Sequence, residues 1–434
     1  MKRTLKTILA GIAVGAMALS LAACGTASKS DSSQLSKGPV TLRMYWWGGD
    51  ARHERTKQAI ALFEKKYPNI TVKPEFTDWT GYWEKLATST AGKNMPDVVQ
   101  MDQLYLASYA DRGTLLDLSK QKINTSDIDS GLLDAGKWKN GLYAIPLSTS
   151  ITAMLTNTTV LDKLGVALPD TSKGWTYEDY QAWGKKVADA SGGQVYGVDV
   201  YNNEFQLQQF IRQNGENLYD GTKVVVKPKT LSAFFQLGLT QQQSGAAAPA
   251  TAWAESLTLP IDQSRFGTSA DATLFTSATL NAAFAKATGD NIALLPLPTL
   301  KGGTAKFDYY KPGMYWAASS QSKHPAEAAL LIDFLLNDPG VAKLFGSERG
   351  LPASSKALDA IRSTLTPEET AAVKYSESRK PFLGKAPSIT PNGASDITAM
   401  LQRYQQEVNF QRTTPDKAAS DMIAELQKSI DAAK

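Results

Sequence analysis

The chain has 434 residues, of which 42% are hydrophobic, 9% aromatic and 20% charged, a globular balance with length for two or three domains. That composition, with one cysteine, excludes a disordered chain, a collagen-like fibre and a disulfide scaffold. Lys and Arg number 46 against 42 Asp and Glu, and three of the cations (Lys2, Arg3, Lys6) lie in the first six residues. The remainder is near neutral and lacks the basic stripe that nucleic acid binding requires, so no nucleic acid partner is expected.

After Lys6, an uncharged stretch of 17 residues runs from Thr7 to Ala23. It is shorter than the roughly 20 residues of a bilayer span and has the layout of a secretory leader. It ends Leu21-Ala22-Ala23-Cys24-Gly25. This resembles the bacterial lipobox, which implies a signal peptide over 1–23 and a lipid on Cys24. The alternative is a buried cysteine in a signal-like core helix. Gly25 to Gly38 is rich in serine and too polar to fold alone, so 24–39 reads as the lipidated cysteine and a flexible tether. A body held at the extracellular face of the cell membrane is the expectation.

From Val40 the pattern turns α/β. Val40 to Trp46 alternates with period two, Ile60, Phe63 and Tyr67 recur at helical spacing, and Pro68-Asn69 ends that helix. Asp50 is expected to cap it. Ile70 to Phe76 reads as a second strand, Tyr82 to Thr90 as a helix, and Asp97 to Asp102 as a third strand. Such units build a mostly parallel sheet by right-handed crossovers, with ligands at the carboxyl ends of the strands. Trp46-Trp47-Gly48-Gly49, Asp78-Trp79 and Asp102-Gln103 all follow those ends. Gly48-Gly49 is compatible with a close backbone approach to a ligand or with a tight turn.

The segments Phe63–Ile70, Met95–Val99, Tyr109–Gly113, Gly141–Pro146, Ser322–Pro325 and Asn337–Pro339, in that order, resemble one family. It is the extracellular solute-binding lipoproteins of carbohydrate ABC transporters, the maltose-binding-protein-like group of solute-binding protein family 1. The resemblance implies an α/β, two-lobed periplasmic-binding-protein (type II) clamshell with three inter-lobe crossings. Carried over, the crossings fall near Pro146–Ser150, Leu295–Pro298 and Gly350–Pro352, each rich in chain-breaking Pro or Gly. The N-lobe is then expected at 40–147 plus 300–350, and the C-lobe at 148–299 plus 351–434.

Enzyme signatures are scarce. There are two histidines, His53 and His324, far apart in sequence, and no G-x-S-x-G, G-x-G-x-x-G or P-loop motif. No cofactor, metal or catalytic residue is expected. Asp50, Asp78, Asp102 and Glu204 include possible carboxylate pairs for a glycosidase, but the same groups accept hydrogen bonds from sugar hydroxyls. A sugar site needs flat rings for the C–H face and polar groups for the hydroxyl edge. Trp46, Trp47, Asp50, Arg52, Asp78 and Trp79 supply both kinds, with Trp47 favoured over Trp46 for the cleft because neighbours on a strand face opposite ways. The resemblance adds Lys311 and Trp316, on the segment returning to the N-lobe, and Glu204, Phe205 and Asn392 in the C-lobe. Trp316 has a core alternative. Trp253 is a weaker candidate with a loop-surface alternative. Where the family carries a Gly-x-Trp-type motif after Thr273-Leu274-Phe275, this chain reads Thr276-Ser277-Ala278-Thr279, which argues against maltodextrin. The expected function is capture of a sugar, an oligosaccharide by the number of aromatics, and delivery to ABC permease subunits by a monomer. A lipid-anchored glycoside hydrolase or a sugar chemoreceptor is the alternative.

Overall fold

Residues 34–433 are described in the computed structural model; Cys24 and the leader lie outside them. Strand Val40–Trp47 runs parallel to Ile70–Thr77 and to Val98–Met101. Tyr315–Ala318 joins antiparallel to Val98–Met101, and Ile145–Pro146 closes the edge. Helices Asp50–Lys66 and Trp79–Ala91 are the crossovers between the parallel strands. The first buries His53, Thr56, Ala59, Ile60 and Phe63, a stripe at three- and four-residue spacing. Its first helical residue is Asp50, preceded by Gly49, and no side chain caps it. Asp50 therefore sits inside the first turn, where its charge favours the helix dipole, instead of at the expected cap. Asp78 and Asp102 do cap the helices after the second and third strands, accepting from Gly81 N and Leu104 N.

Both faces of this sheet are covered, as parallel sheets require. Trp46 and Trp316 pack on one face with Phe63 and Ile332, and Tyr45, Trp47 and Tyr315 on the other with Tyr82 and Leu86. A second, smaller sheet sets Thr152–Asn157 between antiparallel Thr273–Ser277 and Ile292–Leu295. Its large core gathers Tyr180, Phe210, Phe234, Leu401 and Leu426 from the helices around it. The molecule is thus two α/β lobes.

A third sheet ties them together. Ser148–Ser150 pairs antiparallel with Lys311–Pro312 on one side and Leu351–Pro352 on the other. The three passages of the chain between the lobes lie side by side there. Leu297 and Phe307 pack in the second lobe's core, so the chain stays with that lobe past 295–298 and reaches the hinge at Lys311. After the third passage, Ala357 and Ile361 pack on Ala342, keeping helix Ser355–Ile361 with the first lobe.

Candidate functional site

The first lobe contributes the start of helix Gln103–Asp111, positioned by Asp102 at the end of a fully buried strand. The second contributes helix Glu204–Gln213. Its start is fixed by a reciprocal cap in which Asn203 accepts from Gln206 N and Gln206 Oε1 accepts from Asn203 N. The hinge contributes Lys311, on the strand paired to Ser150. These three pieces converge on a cavity of about 240 Å³ that also includes Phe205, Gln208, Tyr309 and Thr390.

Charge inside it is compact. Burial pushes the Asp102 carboxyl above its usual range, against the pull of Lys311 and of the Leu104 N–H. Burial does the same to Glu204, opposed by Lys311 and by hydrogen bonds from Thr390 and Gln208, and reinforced by the Asp102 charge. The charge of one ammonium thus acts on two enclosed carboxylates. The Lys311 Nζ also lies 5.8 Å from the centre of the Phe205 ring, within cation–π range. Phe205 meets Tyr309 edge-on at 5.8 Å, and Arg212 lies 5.1 Å behind the Tyr309 ring. Gln103 Oε1 and Gln208 Oε1 have no donor among the described residues. Flat rings beside carboxylates, an ammonium and amides make a surface suited to a polyhydroxylated ligand.

Leu104 also lines a neighbouring cavity of about 230 Å³, with Trp83, Tyr105 and Tyr109 from the first lobe and Asn392 and Gly393 from the second. Trp83 and Tyr105 stack there at 3.9 Å and 27°, and Trp83 Nε1 is without an acceptor among the described residues. The two cavities share the Leu104 wall.

The sequence candidates divide. Asp102, Glu204, Phe205 and Lys311 come together in the first cavity, and Asn392 lines the second while donating to Ala433 O at 2.7 Å. Trp46 is fully buried, its indole N–H donating to His53 Nδ1 at 3.2 Å. Trp47 is nearly as buried, packed edge-on against Trp79 and Tyr82 at 5.0 Å each. It supports the aromatic rim from behind and lines neither cavity. Trp316 is wholly interior, with Arg349 5.7 Å over its ring: the core alternative describes it. Trp253 is also interior, donating to Val200 O. Arg52 is committed to Glu348 and the Trp47 carbonyl, Asp50 is exposed, and Asp78 is spent on its cap. Trp79 is 40% exposed at the rim. Gln208, Thr390, Trp83 and Tyr105 carry no motif. The signal that could have found Trp83 and Tyr105 is their place on the helices that follow strand ends already marked by Asp78 and Asp102.

Comparison with known proteins places this geometry in a wider group. The model of a family described as bacterial extracellular solute-binding protein matches residues 58–374. The diacetylchitobiose binding protein DasA of Streptomyces coelicolor is 28% identical over 257 residues, 56% of this chain and 60% of that protein. The galactooligosaccharide-binding protein of Bacillus subtilis is 27% identical over 176 residues, 41% of this chain and 39% of that protein. The chain therefore spans less than two thirds of the length of these curated relatives. A solved extracellular solute-binding protein family 1 structure from Alicyclobacillus acidocaldarius matches with a TM-score of 0.74 and 27% identity, covering 91% of this chain and 99% of that one.

Proposed function

The chain belongs to the bacterial extracellular solute-binding protein family, and on that premise we propose that it captures an oligosaccharide between its lobes and delivers it to an ABC permease. The observation that carries this reading is the cavity where Asp102 of the first lobe, Glu204 and Gln208 of the second and Lys311 of the hinge meet. A ligand held by groups from both lobes favours their closed arrangement, and a permease can recognise that arrangement. Moving the open-to-closed ratio from 1:99 to 99:1 takes about 5.5 kcal/mol of preference for the closed form. A micromolar site supplies about 8 kcal/mol in total, so a few hydrogen bonds to charged groups at roughly 1.5–3 kcal/mol each suffice. The adjoining cavity with Trp83 and Tyr105 adds space for a further sugar ring and supports an oligosaccharide over a monosaccharide.

In this reading residues 40–147 with 313–361 form the first lobe, and 151–310 with 365–433 the second. The lipid on Cys24 and the tether hold a monomeric body outside the cell. Binding without turnover is the expected chemistry. The test is calorimetry and tryptophan fluorescence against an oligosaccharide panel, with small-angle scattering for closure and uptake measured in a deletion strain. The reading fails if no saccharide binds, if a bound saccharide is cleaved on prolonged incubation, or if uptake is unchanged.

A further inference from the structure

The first cavity is biased in what it lacks. Its charged lining is Asp102, Glu204 and Lys311, two carboxylates to one ammonium. Ionised carboxylates only accept hydrogen bonds. Gln208 is 4% exposed, and its Oε1 finds no donor among the described residues; Gln103 Oε1 is in the same position. The unmet capacity of the site is therefore for donors.

Two guanidiniums behind the first cavity are already engaged. Arg212, the guanidinium behind Tyr309, donates to Phe307 O at 2.9 Å and to Lys385 O. Arg379 is paired with Asp308 at 2.7 Å. The second cavity has Arg112 in its lining, with the Asp396 charge acting on Tyr105 along with that of Asp102, so the negative excess is confined to the first cavity. A carboxylate on the ligand would meet two fixed carboxylates and compete with them for Lys311, the arrangement by which sites reject a partner.

We propose that this cavity takes saccharide units presenting hydroxyl or amine donors and rejects units carrying a carboxylate, with Asp102 and Glu204 as the residues that set the selection. This rests on the saccharide reading above. With two carboxylates to one ammonium, the lining stays net negative towards an acidic ligand. Amine-bearing units are accepted because they bring the cation that the excess carboxylate lacks.

The full-length protein is screened on an array of neutral, amino and uronic-acid oligosaccharides, and each hit is then titrated by calorimetry beside its uronic-acid counterpart. The expected result is hits free of carboxylates, with counterparts at least 100-fold weaker. Glu204→Gln and, separately, Asp102→Asn are each expected to narrow that ratio to tenfold or less, with folding checked by near-ultraviolet circular dichroism. A uronic-acid counterpart binding within tenfold of the neutral sugar overturns the proposal. So does an unchanged ratio in whichever variants fold. If no saccharide of any charge binds, the saccharide reading itself falls and takes this inference with it.

Discussion

The Thr390 hydroxyl lies 3.2 Å from Glu204 Oε1 and donates to it, across 186 residues of sequence. The carboxylate at the start of one helix is thereby oriented by a segment that the chain reaches only after its third passage through the hinge.

Removing that donor leaves Glu204 enclosed with one partner fewer. A hydrogen bond to a charged group contributes roughly 1.5–3 kcal/mol, and about 1.4 kcal/mol is tenfold in affinity. Thr390→Val is therefore expected to weaken saccharide binding about tenfold while the fold persists. Calorimetry with a saccharide bound by the parent protein checks this; unchanged affinity would remove Thr390 from the positioning of Glu204.

Trp47 and Trp79 should behave differently despite touching each other. Trp47 is 7% exposed and packed among Trp79, Tyr82 and Trp83, whereas Trp79 is 40% exposed. Trp47→Ala opens a cavity in the core and is expected to cost about 3–5 kcal/mol of stability. Trp79→Ala is expected to cost about 1 kcal/mol or less, as exposed side chains do. Urea denaturation of both variants separates the two cases. Equal losses would contradict the assignment of Trp47 to the core.

This contrast marks the limit of what the sequence discloses. Period-two alternation correctly opposes Trp46 to Trp47, but it implies a buried and an open face only where one side of the sheet is bare. Here Phe63 covers one face and Tyr82 the other, so both tryptophans are interior. Trp316 is misleading for the same reason. Asp102 is legible because it falls just past a strand end, and there it both caps the following helix and lines the first cavity. Glu204, Phe205 and Lys311 were reached through family resemblance. Gln208 and Thr390 follow from neither route, since a glutamine inside a helix and a threonine in a loop acquire meaning only when folding brings them to the same carboxylate.

The hinge offers a backbone test. Gly350 has φ of +95°, and a Cβ there would approach the Ser148 side chain at 3.3 Å. Ser148 belongs to the central hinge strand and is fully buried. Gly350→Ala is thus expected to cost about 1–3 kcal/mol from backbone strain and to displace the strands about which the lobes turn. Thermal melting should show the loss. Scattering should show a smaller difference between free and saccharide-saturated protein; full closure at parental stability would contradict the hinge placement.

Asp199 gives a prediction in pH. It is buried in the second lobe, where its Oδ2 accepts from Phe275 N at 2.9 Å and Gln206 Nε2 at 3.4 Å. Burial, with a smaller push from the Asp271 charge, raises its pKa to about 8 against the pull of the Phe275 and Gln206 donors. An unfolded aspartate loses its proton near about 3.9. Between those values the folded chain holds a proton that the unfolded chain has released, so this group's contribution to stability is present in acid and is lost as pH rises to about 8. Asp271, raised to about 6 and paired with Arg265 at 2.8 Å, adds a similar fall that is complete sooner. Asp199→Asn should then gain on the parent by about 1.3 kcal/mol from pH 6 to 7 and by roughly 1 kcal/mol from pH 7 to 8, where Asp199 is itself losing its proton. Urea denaturation of both proteins at pH 6, 7 and 8 measures that gain. A constant difference across the three would show that Asp199 is already ionised in the folded lobe.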